Sequence, residues 1–419
     1  MRIENLRTEK NGDKTRVAAT VIWEDCDRPV HELYYETDPA FSQDLTCNPN
    51  GFLVACIMPA MYHGEKRVAM DAEVCPQLQE GLQTAMALFK DWWYPKQEKV
   101  LPRIEVRTNA ATPYADMPRR AAMFFSGGID SLSSLRKNRL NFPLEHPWSV
   151  KDGLLIFGLE TDQIEKFEHV KKSLQALTEQ TGLTLIPIYT NVRYLDDDWM
   201  FWQRMFQDSV YASVAHLLAK RLNVVSISST YDIPHMQRDG SHPLLDINYS
   251  SSDLLLRHDA IQLSRLDKMK LVAEWELGFQ NIRTCNNSHL YEKGHLNCGR
   301  CFKCVSAMLA FIALGVLDRT QAFPPTGLTP ELCDSVVEIY KTTLCFYEDL
   351  PPLLAEKGRE DLAKVIEKKI SAYNDKQARF ALNQGLREFV KRVDQKLLHG
   401  ALMKFKNRKQ YGSTDRPAG

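Results

Sequence analysis

The 419 residues carry no excess of either charge: 53 Lys and Arg stand against 53 Asp and Glu. A balanced chain lacks the electrostatic footprint of an extended nucleic-acid surface, so binding of that kind is not expected. Long apolar runs are also missing. The greasiest stretch, residues 305 to 317, is too short to span a bilayer and reads as a buried helix, with no membrane as partner. Residues 1 to 14 are charged and polar without the apolar core of a secretory signal, so a cytoplasmic location is expected. No Gly-x-x-x-x-Gly-Lys-[Ser/Thr] occurs, which excludes the usual P-loop. Repeats and long low-complexity runs are absent, and only residues 412 to 419 read as disordered. Ten cysteines in a chain of this length and setting point to reduced thiols or metal ligands, not to a disulfide framework. The basic tail at Lys404, Lys406, Arg408 and Lys409 reads as a solvated end.

What is present divides the chain in three. Residues 1 to 115 open with β-branched and aromatic strands at 16–23 and 30–36, then a helix over 77–93 and a strand at 104–106, which predicts a β-rich accessory domain ending near Pro113. Its plainest role is packing or oligomerisation. Residues 116 to 320 alternate apolar strands, at 121–125, 154–158, 183–189 and 224–228, with helices over 162–181 and 203–221. That pattern predicts an α/β domain with a parallel sheet, whose ligands sit beyond the carboxyl ends of the strands. From 321 to 419 a mainly helical extension is expected, with apolar positions such as Leu362, Val365, Ile366 and Ile370.

At the first of those strand ends stands Ser126-Gly127-Gly128-Ile129-Asp130-Ser131. Two glycines allow a sharp turn with converging amides, two hydroxyls add donors, and the following helix turns its positive end toward the same point, which makes a phosphate cradle for ATP. The alternative is a strand-to-helix turn in which Asp or Ser caps the helix. Gly158 with Leu159, and Ser228 with Ser229, fall at other strand ends, so the three segments are expected to share one crevice. Farther on, Cys298, Cys301 and Cys304 form Cys-x-x-Cys-x-x-Cys, and Cys285 supplies a fourth thiol. Four thiolates close a tetrahedral shell and leave no open position, which favours a structural Zn²⁺; an iron-sulfur cluster is the rival. His289 and His295 read as bystanders, and the other six cysteines as packing residues.

The Ser-Gly-Gly-x-Asp-Ser loop resembles the signature of the PP-loop ATP pyrophosphatases. Together with Lys268 on a late helix, Thr284-Cys285 and Cys298-Gly299-Arg300-Cys301-Phe302-Lys303-Cys304, the chain resembles the 7-cyano-7-deazaguanine synthase branch over residues 120 to 310. The resemblance implies a PP-loop sheet in which Ser126, Gly127, Gly128, Asp130 and Ser131 hold the pyrophosphate of ATP. It also implies that Gly158 and Leu159 border the adenine or ribose, and that Ser228 and Ser229 line the pocket. Asp130 would orient the loop or ligate Mg²⁺, and Lys268 would neutralise phosphate oxygens. The chemistry implied is adenylation of a carboxylate or amide on a deazapurine-type small molecule, with release of pyrophosphate.

The chain departs from that branch in its long amino-terminal segment, its helical extension and the absence of Arg shortly after Cys304, where Val305-Ser306-Ala307-Met308 follows. These differences bear on the substrate more than on the use of ATP, and larger synthase-like proteins occur in bacterial antiphage defence. Two other readings therefore stand beside the first. One is modification of a protein or nucleic acid, with a partner protein encoded nearby and assembly as a homo- or hetero-oligomer; the other is a nucleotide-sensing subunit without turnover. The polar segment 235–265 reads as an active-site lid or substrate loop. Within it His242, Asp246, Arg257 and Asp259 are the candidates for carboxylate recognition and proton transfer.

Overall fold

Alternating β-branched and polar residues build three amino-terminal strands, β1 (Arg2–Asn11), β2 (Lys14–Ile22) and β3 (His31–Thr37), which pair antiparallel in sequence order. Val17, Ala19, Val21, Leu33 and Tyr35 bury their side chains. The helix Pro49–His63 follows, in a β-rich region where the sequence pattern assigns no element. It carries no amphipathic stripe to announce it, because every residue from Asn50 to Met61 is buried. Its ends are well marked: Asn48 accepts from the Asn50 amide at 3.0 Å, Pro49 opens the first turn, and Gly64 closes the helix in the left-handed region. Then come β4 (Arg67–Val74), the helix Pro76–Trp93 and β5 (Arg103–Thr108).

The structure, a computed structural model, describes residues 1–108, 114, 117–159, 163–285, 295–325 and 327–397. The expected boundary at Pro113, His289, and the segments 404–409 and 412–419 lie outside the described residues. From β6 (Arg120–Phe124) the chain adds β7 (Val150–Phe157), β8 (Thr184–Thr190), β9 (Leu222–Ser228) and β10 (Leu255–Asp259). The helices Ile129–Asn141, Ile164–Thr181 and Gln207–Leu217 lie between them in the chain. The fold is α/β, with one ten-stranded sheet in the order β10-β9-β6-β7-β8-β3-β2-β1-β4-β5. Strands β6 to β10 are mutually parallel, and among the described residues antiparallel pairs occur only where β8, β3, β2 and β1 adjoin.

That order revises the three-part expectation. Residues 1 to 115 do not close a sheet of their own, because β3 hydrogen-bonds to β8 through the pairs Tyr35–Thr190, Glu36–Tyr189 and Thr37–Ile188. The free edge of a parallel sheet exposes a row of backbone donors and acceptors, and β3 satisfies them. Side chains extend the union: Tyr35 Oη lies 2.8 Å from Ser213 Oγ, and Asn48 Nδ2 donates to the His216 carbonyl at 3.0 Å. The described residues from Met1 to Leu328 accordingly form one compact unit, and those from Thr329 to Leu397 a second. The second unit contains the helices Pro330–Val336, Leu350–Glu356 and Glu360–Leu397. Leu362 and Ile366 are buried there, whereas Val365 and Ile370 are half-buried. The apolar run after Cys304 forms the buried helix Phe302–Ala313, and no helix among the described residues is long and apolar enough to cross a membrane.

One buried imidazole gives the large unit a pH dependence. His216 is fully buried, donates through Nε2 to the Tyr249 carbonyl at 2.8 Å, and has its pKa lowered by burial to about 4. Between that value and about 6.5 the unfolded chain binds a proton that the folded chain refuses. The contribution is therefore complete above about pH 6.5 and falls as the pH drops toward 4, by up to about 3 kcal/mol. His216→Gln, which keeps a donor for Tyr249, should flatten this part of the stability profile in denaturant titrations. An unchanged slope would exclude His216 as its source.

Candidate nucleotide site and cysteine centre

Strands β6, β7 and β8 progress in one direction across the sheet while β9 and β10 lie on the other side of β6. The order thus reverses between β6 and β9, and a crevice opens at their carboxyl ends. A cavity of about 580 Å³ occupies it, bordered by Ser126, Asp130 and Ser131 after β6 and by Ser228 at the end of β9 with Ser229 and Thr230 beyond it. Gly127 has φ +75°, a backbone conformation that other residues rarely adopt, so the turn favours glycine. Gly128 occupies the N-cap of the helix Ile129–Asn141, and no side chain caps that helix among the described residues. Ser126 Oγ accepts weakly from the Gly128 amide at 3.4 Å, and Ser131 Oγ donates backward to the Gly128 carbonyl at 3.1 Å. The first-turn amides therefore lack the cap that the alternative reading requires, and a helix start of this kind suits an anion.

Asp130 is ion-paired at the cavity edge. Arg265 Nη1 lies 2.8 Å from its Oδ1, Lys268 Nζ lies 3.9 Å from the same oxygen, and Thr230 Oγ1 donates to Oδ2 at 3.4 Å. Both cations come from the helix Arg265–Ala273, which Ser264 and Asp267 cap reciprocally. Lys268 is fully buried and donates to the Ser229 carbonyl at 2.6 Å. Burial lowers the pKa of its ammonium, and Asp130 opposes that shift.

The candidates in the polar segment are dispersed, and the segment is not the expected loop throughout, since β10 extends the sheet. Asp259 and Arg257 pair on β10 at 3.0 Å; Asp259 also receives Lys137 at 2.6 Å, and Arg257 sits 5.0 Å from the centre of the Trp148 ring. Neither borders the cavity. His242 caps the helix Pro243–Asp246, accepting from the Leu244 amide at 3.1 Å, and its ring lies edge-on to Trp92 at 4.9 Å. Burial lowers its pKa to about 4, so it is neutral in this place. Asp246 is buried, 2.7 Å from His258 Nδ1, with its pKa raised by burial to about 7. Asp208, buried beside it, is raised well above the ordinary carboxyl range by burial and by the Asp246 charge. Asp239, at the cavity, is also raised by burial to about 7.

Mostly apolar side chains make the far walls. Leu154, Leu155 and Ile156 of β7, Leu159, and Phe167 and Val170 of the helix Ile164–Thr181 form one. The aromatic Trp199, Trp202 and Tyr211 with the polar Gln203 and Gln207 form another, mixed wall, partly from a single π-helical turn at Trp202–Phe206 that the sequence pattern does not disclose. Gly158 adopts φ +97°, and a Cβ there would fall 1.9 Å from the Thr190 carbonyl oxygen.

The four cysteines converge. Cys285 Sγ lies 3.5 Å from Cys298 Sγ and 3.6 Å from Cys301 Sγ, and Cys298 Sγ lies 3.9 Å from Cys304 Sγ. Sulfurs on one tetrahedral zinc are separated by about 3.8 Å, so this donor set fits one ion. The organiser of the knuckle is a residue the motif does not show. Buried Asn297 accepts through Oδ1 from the amides of Thr284 and Cys285, at 2.8 and 3.2 Å, and donates through Nδ2 to the carbonyls of Ile282 and Ala322, both at 2.8 Å. Two residues before Cys285, the Arg283 amide donates to the Gly127 carbonyl at 2.8 Å and its guanidinium to the Ser126 carbonyl at 3.3 Å. Arg283 and Lys303 also border the cavity, so the cysteine centre adjoins the glycine loop. Compared with protein-family models, curated proteins and solved structures, the chain matches none.

Gly158→Ala tests the turn after β7. Because the added methyl meets backbone and not a movable side chain, the expected loss is about 3 kcal/mol in equilibrium unfolding. A variant as stable as the parent would show that this turn takes another course.

Proposed function

We propose that the chain is an ATP-dependent synthase of the PP-loop type, which adenylates a carboxylate or amide with release of pyrophosphate, and that a deazapurine-type small molecule is the first substrate class to test. The observation that carries this reading is the uncapped helix start at Gly128, opening on a cavity at the reversal of strand order with Asp130, Arg265 and Lys268 beside it. Amides of the loop and the first helical turn would take the departing pyrophosphate, while Arg265 and Lys268 bring positive charge to the same edge. Mg²⁺, when bound with ATP, would be held through Asp130 and would neutralise phosphate charge. A substrate carboxylate oxygen attacks the α-phosphorus, the bond to the bridging oxygen breaks, and an acyl adenylate and pyrophosphate form. Ammonia or an amine then displaces AMP to give an amide. The apolar wall of Leu154, Leu155, Ile156, Leu159 and Phe167 suits the adenine ring.

Pyrophosphate release from ATP and Mg²⁺ in the presence of candidate carboxylates is the test. Asp130→Ala should lower it by about a hundredfold or more, the usual scale for removing one preorganised charged group. Equal release by parent and variant would refute the assignment. Mass added to a partner protein in place of a small-molecule product would move the acceptor to the macromolecular class.

We further propose that the cysteine centre holds a structural Zn²⁺, since full thiolate ligation leaves no position for substrate. Metal analysis should find zinc that disappears in Cys301→Ser together with thermal stability. Iron with visible charge-transfer absorption would overturn the assignment.

A further inference from the structure

Asp208, Asp246 and His258 come from three different elements: the start of the helix Gln207–Leu217, the end of the helix Pro243–Asp246, and β10. Their ligand atoms all lie within 4.8 Å of one another. Both aspartates are fully buried, and the His258 side chain is 2% exposed. His258 Nδ1 and Asp246 Oδ2 satisfy each other at 2.7 Å. That leaves His258 Nε2, Asp246 Oδ1 and both oxygens of Asp208 buried with no partner in good hydrogen-bond geometry among the described residues, the Asp208 carboxyl standing beside Asp246 and Ser241. Two buried carboxylates facing each other are costly, as is each buried lone pair left unmatched. A cation that takes the place of the proton between His258 Nδ1 and Asp246 Oδ2, with an Asp208 oxygen as third donor, would relieve that cost.

We propose that Asp208, Asp246 and His258 bind one divalent transition-metal cation of the Mn²⁺ class at the wall of the cavity, separate from Asp130 and from the cysteine centre. The donor set decides the class. Carboxylates suit Mn²⁺ as they suit Mg²⁺, but an imidazole ligand favours the transition metal, and the absence of thiolate from the set separates it from the cysteine site. Three protein ligands leave coordination positions free. His258 borders the cavity, with Asp239 and Ser241 beside it, so an oxygen of a molecule bound there can complete the shell. None of this depends on which molecule the cavity activates.

The whole chain, purified without chelator, should be dialysed against Mn²⁺ without nucleotide, counted by metal analysis and examined by pulsed electron paramagnetic resonance. The expected result is one Mn²⁺ per chain, showing nitrogen coupling from one imidazole. Asp208→Asn, with folding checked by circular dichroism, should weaken binding by about tenfold or more, whereas Asp130→Asn should leave it unchanged. If Asp208→Asn does not fold, His258→Gln and the nitrogen coupling of the parent protein decide the matter. The proposal is overturned if the parent binds no stoichiometric Mn²⁺, in which case the carboxylates share a proton. It is equally overturned if the bound Mn²⁺ shows no nitrogen coupling, if folded Asp208→Asn binds as well as the parent, or if Asp130→Asn abolishes binding.

Discussion

A fully buried ammonium is among the most demanding groups a fold can contain, and the end of Lys268 fixes the geometry around it. Its charge is tolerated because the Ser229 carbonyl accepts from it at 2.6 Å and Asp130 stands 3.9 Å away. Those two partners belong to different segments, the exit of β9 and the first turn after β6, and the lysine itself belongs to a third. Moving any one of them would strand the charge, so the strand ends and the helix Arg265–Ala273 hold a common position. Arg265, three residues earlier on that helix, reaches Asp130 at 2.8 Å. Asp130 thereby receives two cations from one helix face and keeps its place at the cavity edge.

The cysteine centre acts on the same loop from the other side. Asn297 ties the Thr284 and Cys285 amides to the Ile282 and Ala322 carbonyls, and Arg283, between those anchors, is bonded to Gly127. A metal that draws Cys285 toward Cys298, Cys301 and Cys304 would therefore also fix the partner of the glycine turn. Under the proposed reading, the ion contributes to catalysis by holding a backbone amide in place, without touching substrate.

How far the sequence disclosed this arrangement depends on what each residue needs from distant chain. Gly127, Asp130 and the cysteines announce themselves because their chemistry is local: a turn that favours glycine, a helix start, a spacing of two between thiols. The strands from β6 to β9 are legible as short apolar runs. The helix Pro49–His63 was not, since a helix buried on all sides has no polar face to set its period. The reach of Asn297 and Arg283 is equally silent, as their partners lie in space and not in a motif. Among the polar residues of 235–265, composition could not separate His242, which caps a helix against Trp92, from His258, which faces two aspartates. That distinction is made by β10, and β10 exists because Leu255 to Asp259 pair with Val224 to Ser228.

The amino-terminal strands take on a different meaning from the same contacts. Read alone, they suggest an accessory module for packing or assembly. In the fold they cover the β8 edge, and the helix Pro49–His63 packs against the helix Gln207–Leu217, with Gly51 so close that a Cβ would lie 2.8 Å from Leu217 Cγ. That second helix carries Asp208 and Tyr211, and Tyr211 stacks on Phe124 at the end of β6 with ring centres 4.7 Å apart. The first hundred residues thus support a wall of the cavity through one tightly packed helix pair. A module that merely recruited a partner could be removed without disturbing the sheet; these strands cannot, because their loss would uncover the β8 edge and release the helix that presents Asp208.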